Sequence, residues 1–241
     1  MYRNFIFDLY GTLVDIHTNE RKASFWKKCA ALLTEFGCPY EPAELRKAYF
    51  HYIKLQKVDL SRKFTYPEVD LSKVFLSLFA DKGFYPDKSF LSYYASTFRV
   101  LSRDFLSLYP DTIAILETLK QAGRNVYLLS NAQTLFTVPE MKELGIYDYF
   151  DDVLISSELS CKKPDTAFMQ KLLDKHNLAV EESIMIGNEF ESDIAVANAV
   201  GMDSFYIHTD ISPELTGEET ATYIDTKTGY LPLKKIQSLL K

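Results

Sequence analysis

The chain has 241 residues, 47% of them hydrophobic and 25% charged, and a formal net charge of −6. This is the composition of a globular protein with a substantial core, longer than a typical single domain, and it carries no dense basic tract that would favour nucleic acid or an anionic membrane. The three scattered cysteines (Cys29, Cys38, Cys161) read as reduced thiols, and neither a basic-then-apolar leader nor a bilayer-length apolar run is found, so a cytoplasmic protein is expected.

Phe5-Ile6-Phe7 is a short apolar run that ends in Asp8 and a Gly11-Thr12 turn. A strand buried on both faces reads as such a run. Ligands of open α/β sheets sit beyond the carboxyl ends of parallel strands, which is where Asp8 falls. An Asp that merely caps a loop is the plain alternative. From residue 16 to about 100 the apolar period turns helical. Phe25, Trp26, Cys29, Leu33 and Phe36 form one helix, with Thr18 or Asn19 as its cap and Gly37 as its stop. A second starts at Glu41 and carries Leu45, Tyr49, Tyr52 and Leu55. A third starts at Pro67 and carries Val74, Phe75 and Leu78; a fourth starts at Pro86 and carries Phe90, Tyr93, Tyr94 and Phe98. Successive amphipathic helices with no strand between them predict a bundle, its aromatic stripe serving as core.

From Asp111 strands and helices alternate. A helix through Ile115 and Leu119 precedes a strand at Val126–Leu129, and the next helix, Ala132 to Gly145, is expected to break before Pro139. Strands follow at Val153–Ile155, Ile184–Ile186, Ser204–Ile207 and near Tyr223-Ile224, with helices at Thr166–His176, around Ile194–Val200 and from Leu231. Residues 210–221 read as a polar loop. The pattern predicts an α/β fold, a doubly wound parallel sheet made of residues 1–15 and 101–241, with 16–100 as a helical-bundle cap.

Strand ends then carry polar residues: Asp8, Ser130-Asn131, and Asn188-Glu189 with Asp193 behind, while Cys161-Lys162-Lys163-Pro164-Asp165 lies between the last two. Parallel strands point their carboxyl ends the same way, so these groups can converge. A carboxylate, a hydroxyl, a lysine and an acidic loop suit displacement on an anionic substrate. The carboxylate attacks, the hydroxyl holds anionic oxygens, the lysine offsets charge, and the acidic loop holds a divalent cation or positions water.

These residues resemble the haloacid dehalogenase superfamily. Phe7-Asp8-Leu9-Tyr10-Gly11-Thr12-Leu13 matches its first motif and Leu129-Ser130-Asn131 its second. Lys163-Pro164-Asp165 matches the third, and Ile186 to Ile194 the fourth. The resemblance implies Asp8 as nucleophile, Lys163 as charge-balancing lysine, and Thr12, Ser130 and Asn131 around the substrate's anionic group. It also implies a Mg2+ ion of modest affinity at Asp8, the Tyr10 main-chain carbonyl, Asn188, Glu189 and Asp193, a cap that selects substrate, and a monomer or homodimer acting on a small anionic molecule.

Two positions depart from the family pattern. Family phosphatases usually place an Asp, the general acid, two residues beyond the nucleophile; here stands Tyr10, as in the family's dehalogenases. The first acid of the fourth motif, normally a magnesium ligand, is Asn188. The expected activity is magnesium-dependent hydrolysis of a small phosphate ester, with Tyr10 as a candidate catalytic residue. The alternatives are a metal-independent 2-haloacid dehalogenase, with Arg46 as the nearest candidate for its cap arginine, and a non-catalytic ligand-binding member.

Overall fold

The computed structural model describes residues 1–215 and 220–240; four residues of the expected 210–221 loop, 216–219, lie outside the described residues. In chain order the elements are β1 (Asn4–Phe7), β2 (Val14–Thr18), α1 (Ala23–Glu35), α2 (Pro42–Leu60), α3 (Leu71–Ala80), α4 (Lys88–Ser102), β3 (Arg103–Leu108), α5 (Thr112–Gln121), β4 (Asn125–Ser130) and α6 (Thr134–Glu143). They continue with β5 (Asp152–Ile155), α7 (Ser156–Leu159), α8 (Thr166–His176), β6 (Ser183–Gly187), α9 (Ala195–Val200), β7 (Asp203–Thr209), β8 (Tyr223–Gly229) and α10 (Leu233–Leu239).

Six strands form a parallel sheet in the order β5-β4-β1-β6-β7-β8. The chain leaves β1 on one side for β4 and β5, then returns to build β6, β7 and β8 on the other. The reversal puts a crevice beyond the carboxyl end of β1, where doubly wound sheets bind ligands. Alternation along the strands supplies both layers. Phe5 and Phe7, with Val126, Leu128, Ile184 and Ile186, pack with α5 and α10 in one apolar cluster. Ile6, Tyr127, Leu129 and Met185 pack with α8 and α9 in another.

The second sheet is an antiparallel ribbon of β2 and β3, which takes the chain out to α1–α4 and back. The sequence reading missed it because strong helical periods flank both short strands. The ribbon occupies Thr18, so α1 starts later than expected, behind Lys22, which makes no side-chain cap bond. The third and fourth helices also start later, behind Asp70 and Asp87, whose carboxylates accept the Ser72 and Phe90 N–H groups. Pro67 instead lies in a loop that docks on the α/β layer. It bridges Cys161, the Glu68 N–H donates to the Ser160 carbonyl, and the Lys162 N–H donates to the Tyr66 carbonyl. The expected break at Pro139 does not occur: α6 runs through it, forgoing the bond its N–H would give to the Leu135 carbonyl.

Helices α1–α4 enclose an aromatic core of their own, joined by Phe136 from α6. Phe75 is fully buried within it, with the rings of Tyr94 and Phe98 at 5.1 and 5.0 Å and those of Tyr49 and Phe136 just beyond. Leu55 and Tyr93, placed in this core by periodicity, face solvent instead. Removing a fully buried phenyl ring costs the transfer energy plus a cavity. Phe75→Ala is expected to destabilise the protein by about 3–5 kcal/mol, whereas Tyr93→Ala changes stability by less than about 0.5 kcal/mol. Urea unfolding midpoints of the two variants check this.

Candidate active site

Asp8 stands at the sheet's switch point. Its N–H donates to the Ile186 carbonyl at 2.9 Å, so its backbone still belongs to the ladder although β1 ends at Phe7. The chain then turns through Gly11 at φ +87°. A Cβ at Gly11 would stand 2.3 Å from the Asn188 side-chain amide, so the position needs glycine for its backbone and again for space. Thr209 Oγ1 donates to the Gly11 carbonyl at 2.9 Å, and Thr112 Oγ1 to the Leu13 carbonyl at 3.0 Å. These straps fix the loop that carries the carboxylate.

Lys163 is buried to 2% exposure and spends all three ammonium hydrogens on protein acceptors. Its Nζ lies 2.8 Å from Asp8 Oδ1, 2.7 Å from Asp193 Oδ1 and 2.6 Å from the Leu129 carbonyl oxygen. Burial alone would lower its pKa, but Asp193 and Asp8 outweigh burial and hold it above the ordinary lysine value. For Asp8 burial is the largest effect. It pushes the carboxyl up to about 6, Lys163 pulling it down and the Asp193 charge adding to the rise. At neutral pH Asp8 is therefore ionised. Its Oδ1 also meets the Ser130 hydroxyl at 3.4 Å, and its Oδ2 meets the Thr12 hydroxyl at 3.5 Å.

The remaining expected residues divide by what they hold. Asn131, expected against substrate, lines the cavity in front of Asp8 and also grips Lys163: Nδ2 donates to the Lys163 carbonyl at 3.1 Å, and Oδ1 accepts the Lys163 N–H at 2.8 Å. Asp193 was expected at the metal. Its Oδ1 takes the ammonium, and its Oδ2 accepts the Asn188 and Glu189 N–H groups at 3.0 and 3.1 Å, so it orients that loop. Tyr10 lines the same cavity, but its hydroxyl is engaged by α6. It donates to the Glu140 carboxylate and lies 3.2 Å from Thr137 Oγ1. Burial, then the Glu140 charge, raises its pKa well above the ordinary tyrosine value. Arg46 is exposed, sits over the Phe50 ring and lines a different depression beside His17 and Glu20.

A cavity of about 220 Å³ opens in front of Asp8, lined by Lys163, Asn188, Glu189 and Asp193 and rimmed by Ile211 and Pro213. Asp8, Glu189 and Asp193 thus face a single ammonium among its described lining residues. An incoming anion meets net negative charge unless a cation accompanies it. Among the described residues no three His, Cys, Asp or Glu side chains could hold a metal ion by themselves. Neutral oxygens complete the set. Asp8 Oδ2 and the Asn188 amide oxygen both meet Thr12, and Glu189 has one oxygen on the Ser192 hydroxyl and the other to offer. Such hard oxygen donors fit magnesium, with less charge than a full carboxylate set would bring.

A model of haloacid dehalogenase-like hydrolases matches residues 2–201. The chain belongs to this family. It is 27% identical over 209 residues to the pyrimidine 5′-nucleotidase PynA of Streptococcus pneumoniae, covering 85% of this chain and 83% of that protein. It is 34% identical over 106 residues to a ribulose-1,5-bisphosphate 5-phosphatase of Halopiger xanaduensis, a match spanning 44% of either protein and so less than half of that relative's length. The fold is also that of a 2-haloacid dehalogenase from Pseudomonas syringae pv. Tomato, at TM-score 0.65, 17% identity and full coverage of both chains. A HAD phosphatase from Thermococcus onnurineus shares it at TM-score 0.59 and 18% identity, covering 99% of this chain and 97% of that one. The family is one of hydrolases.

Reading the sequence missed Glu140, Thr137 and the Ile211–Pro213 rim. For Glu140 a signal existed: it shares the buried face of α6 with Phe136, Thr137 and Met141, an apolar helix face where a lone carboxylate needs a partner.

Lys163→Met would leave two buried carboxylates without their cation, which is expected to cost about 3–5 kcal/mol at neutral pH. The sign of the pH dependence follows from linkage. The folded-state Asp8 value is raised above the ordinary 3.8, so its contribution to stability is fully present below pH 3.8 and is lost as pH rises through about 6. Without Lys163 to pull it down, that loss extends to higher pH. The stability gap between wild type and variant should therefore widen from pH 5 to pH 8 in urea unfolding.

Proposed function

We propose that this hydrolase cleaves small phosphate monoesters with magnesium assistance, using Asp8 as nucleophile. One observation carries the reading: a buried carboxylate at the sheet's switch point is kept ionised by a fully coordinated lysine, in a cavity whose remaining charges are acidic. A doubly negative phosphate enters such a cavity with a divalent cation. The phosphatase and nucleotidase relatives support the same substrate class.

In this reading the Asp8 carboxylate attacks phosphorus through the oxygen not offered to magnesium, the bond to the ester oxygen breaks, and that oxygen leaves with the electron pair. Lys163 stays protonated beside Oδ1 and offsets the charge of nucleophile and phosphate. Ser130 offers its hydroxyl to a phosphate oxygen. Water then attacks the acyl phosphate, releasing inorganic phosphate and restoring Asp8. Magnesium held by Asp8 Oδ2, the Tyr10 carbonyl, Asn188 and Glu189 would supply positive charge against the phosphate oxygens. The insert of residues 16–100 acts as a cap over the cavity and limits substrate size.

The Tyr10 proton is committed to Glu140, so the leaving oxygen departs without a proton from this position. Rates should therefore depend steeply on leaving-group basicity. Aryl and acyl phosphates should outrun alkyl phosphates by more than intrinsic reactivity under general acid catalysis allows, since such catalysis contributes about 10²–10⁴-fold. Tyr10 and Asn188 favour a second reading, dehalogenation. Against it, no arginine lines the cavity among the described residues, and the Lys163 ammonium has no hydrogen left for a halide or carboxylate.

The test is a panel of aryl, acyl and alkyl phosphates and 2-haloacids, each with and without magnesium. Magnesium-dependent phosphate release from the activated esters, abolished in a folded Asp8→Asn variant, is expected. Halide release indifferent to chelator would replace this reading with dehalogenation. Asn188→Asp adds a charged ligand and is expected to lower the magnesium concentration giving half-maximal rate.

A further inference from the structure

Glu140 has no part in the chemistry proposed above, yet it is 3% exposed and gathers partners from different parts of the fold. It accepts the Tyr10 hydroxyl from the loop behind Asp8. From α4 it accepts Arg99 Nε at 2.8 Å and Nη2 at 3.3 Å, and where α4 passes into β3 it accepts Arg103 Nη1 at 3.4 Å. Arg99 also lies over the rings of Tyr10 and Phe136, 5.7 and 5.1 Å from their centroids. Arg103 completes the set by pairing with Glu143 at 3.0 Å. The two guanidinium groups and two carboxylates balance in charge, which is what lets so many sit near the interior.

We propose that Glu140 is a positioning residue for Asp8, acting through Tyr10 and coupling the nucleophile loop to the placement of α4. The proposal rests on Asp8 being the nucleophile. Tyr10 is two residues from Asp8, and the loop beyond it is strapped by Thr209 and Thr112. A displacement at the phenol therefore has little slack to absorb it before Asp8. When α4 lies against α6, Arg99 neutralises Glu140, the carboxylate holds the phenol, and Asp8 is held against Lys163. When α4 moves away, Glu140 loses its bidentate partner and the loop loses its anchor. Position 10, which in family phosphatases carries the acid, here carries information about the insert.

Hydrogen exchange of the full-length chain tests this without any substrate. Tyr10→Phe removes the hydroxyl and leaves all four charges in place. It is expected to speed exchange both in Leu9–Val14 and in α4, with other segments unchanged. Glu140→Gln should do the same more strongly. With p-nitrophenyl phosphate as probe, kcat should fall about tenfold in either variant, the scale of a coupled hydrogen bond. KM should stay nearly constant, and the double variant should be no slower than the slower single. Faster exchange in only one of the two segments, or in neither, overturns the proposal, as does a double variant slowed by the product of the single effects. Should Glu140→Gln fail to fold, the Tyr10→Phe exchange pattern decides alone. If wild type leaves p-nitrophenyl phosphate intact, the activity reading fails separately and the exchange result still stands or falls.

Discussion

An ammonium group buried at the carboxyl edge of a parallel sheet must find an acceptor for every hydrogen, and here the acceptors come from distant parts of the chain. Asp8 arrives from β1, the Leu129 carbonyl from β4, and Asp193 from the turn after β6. Leaving any of them out strands a charge in the interior, at a cost of several kcal/mol. The registers that set β1 between β4 and β6 are therefore tied to the same ion cluster that holds the Asp8 carboxylate, the proposed nucleophile. Stability and chemistry draw on one set of contacts, and Asn131 secures it by gripping the lysine's main chain from both sides.

Asn188 makes sense against that cluster. It lies against Gly11, with its N–H held by Asp193 and its side-chain oxygen facing Thr12. An aspartate at this place would add another negative charge to a cavity that already holds Asp8, Glu189 and Asp193 around one ammonium. The amide relieves that repulsion, and in the proposed reading it offers magnesium an oxygen without a charge.

The doubly wound sheet was legible because parallel strands buried on both faces leave uninterrupted apolar runs, as at Phe5–Phe7 and Ile184–Ile186. The meeting of Asp8 and Lys163 was legible because both positions are tied to strand ends and to short motifs. The β2–β3 ribbon was not, since its few alternating residues are outweighed by helical periods on either side. Nor were the hydrogen-bond partners of Asn131, Asp193 and Tyr10. They lie 32, 30 and 130 residues away, and residue type alone does not say which partner wins. Periodicity also put Tyr93 inside because a helix face wider than the surface it covers leaves its edge in water.

The loop at Tyr66–Glu68 has a consequence for the order in which the molecule assembles. It pairs with residues 160–162, far along the chain, whereas the helices on either side of it bury most of their aromatic surface against one another. Contacts between distant positions form slowly because a long loop must first close, while local ones form early. On a ribosome the insert's own helices can pack once α4 emerges, and Phe136 joins their core when α6 follows. The docking edge, with the polar backbone groups of Tyr66 and Glu68, then waits in water until the lysine-bearing turn has been synthesised. A nascent chain stalled before Cys161 would hold a finished bundle on an unfinished sheet, with the face meant for the sheet still open to other chains.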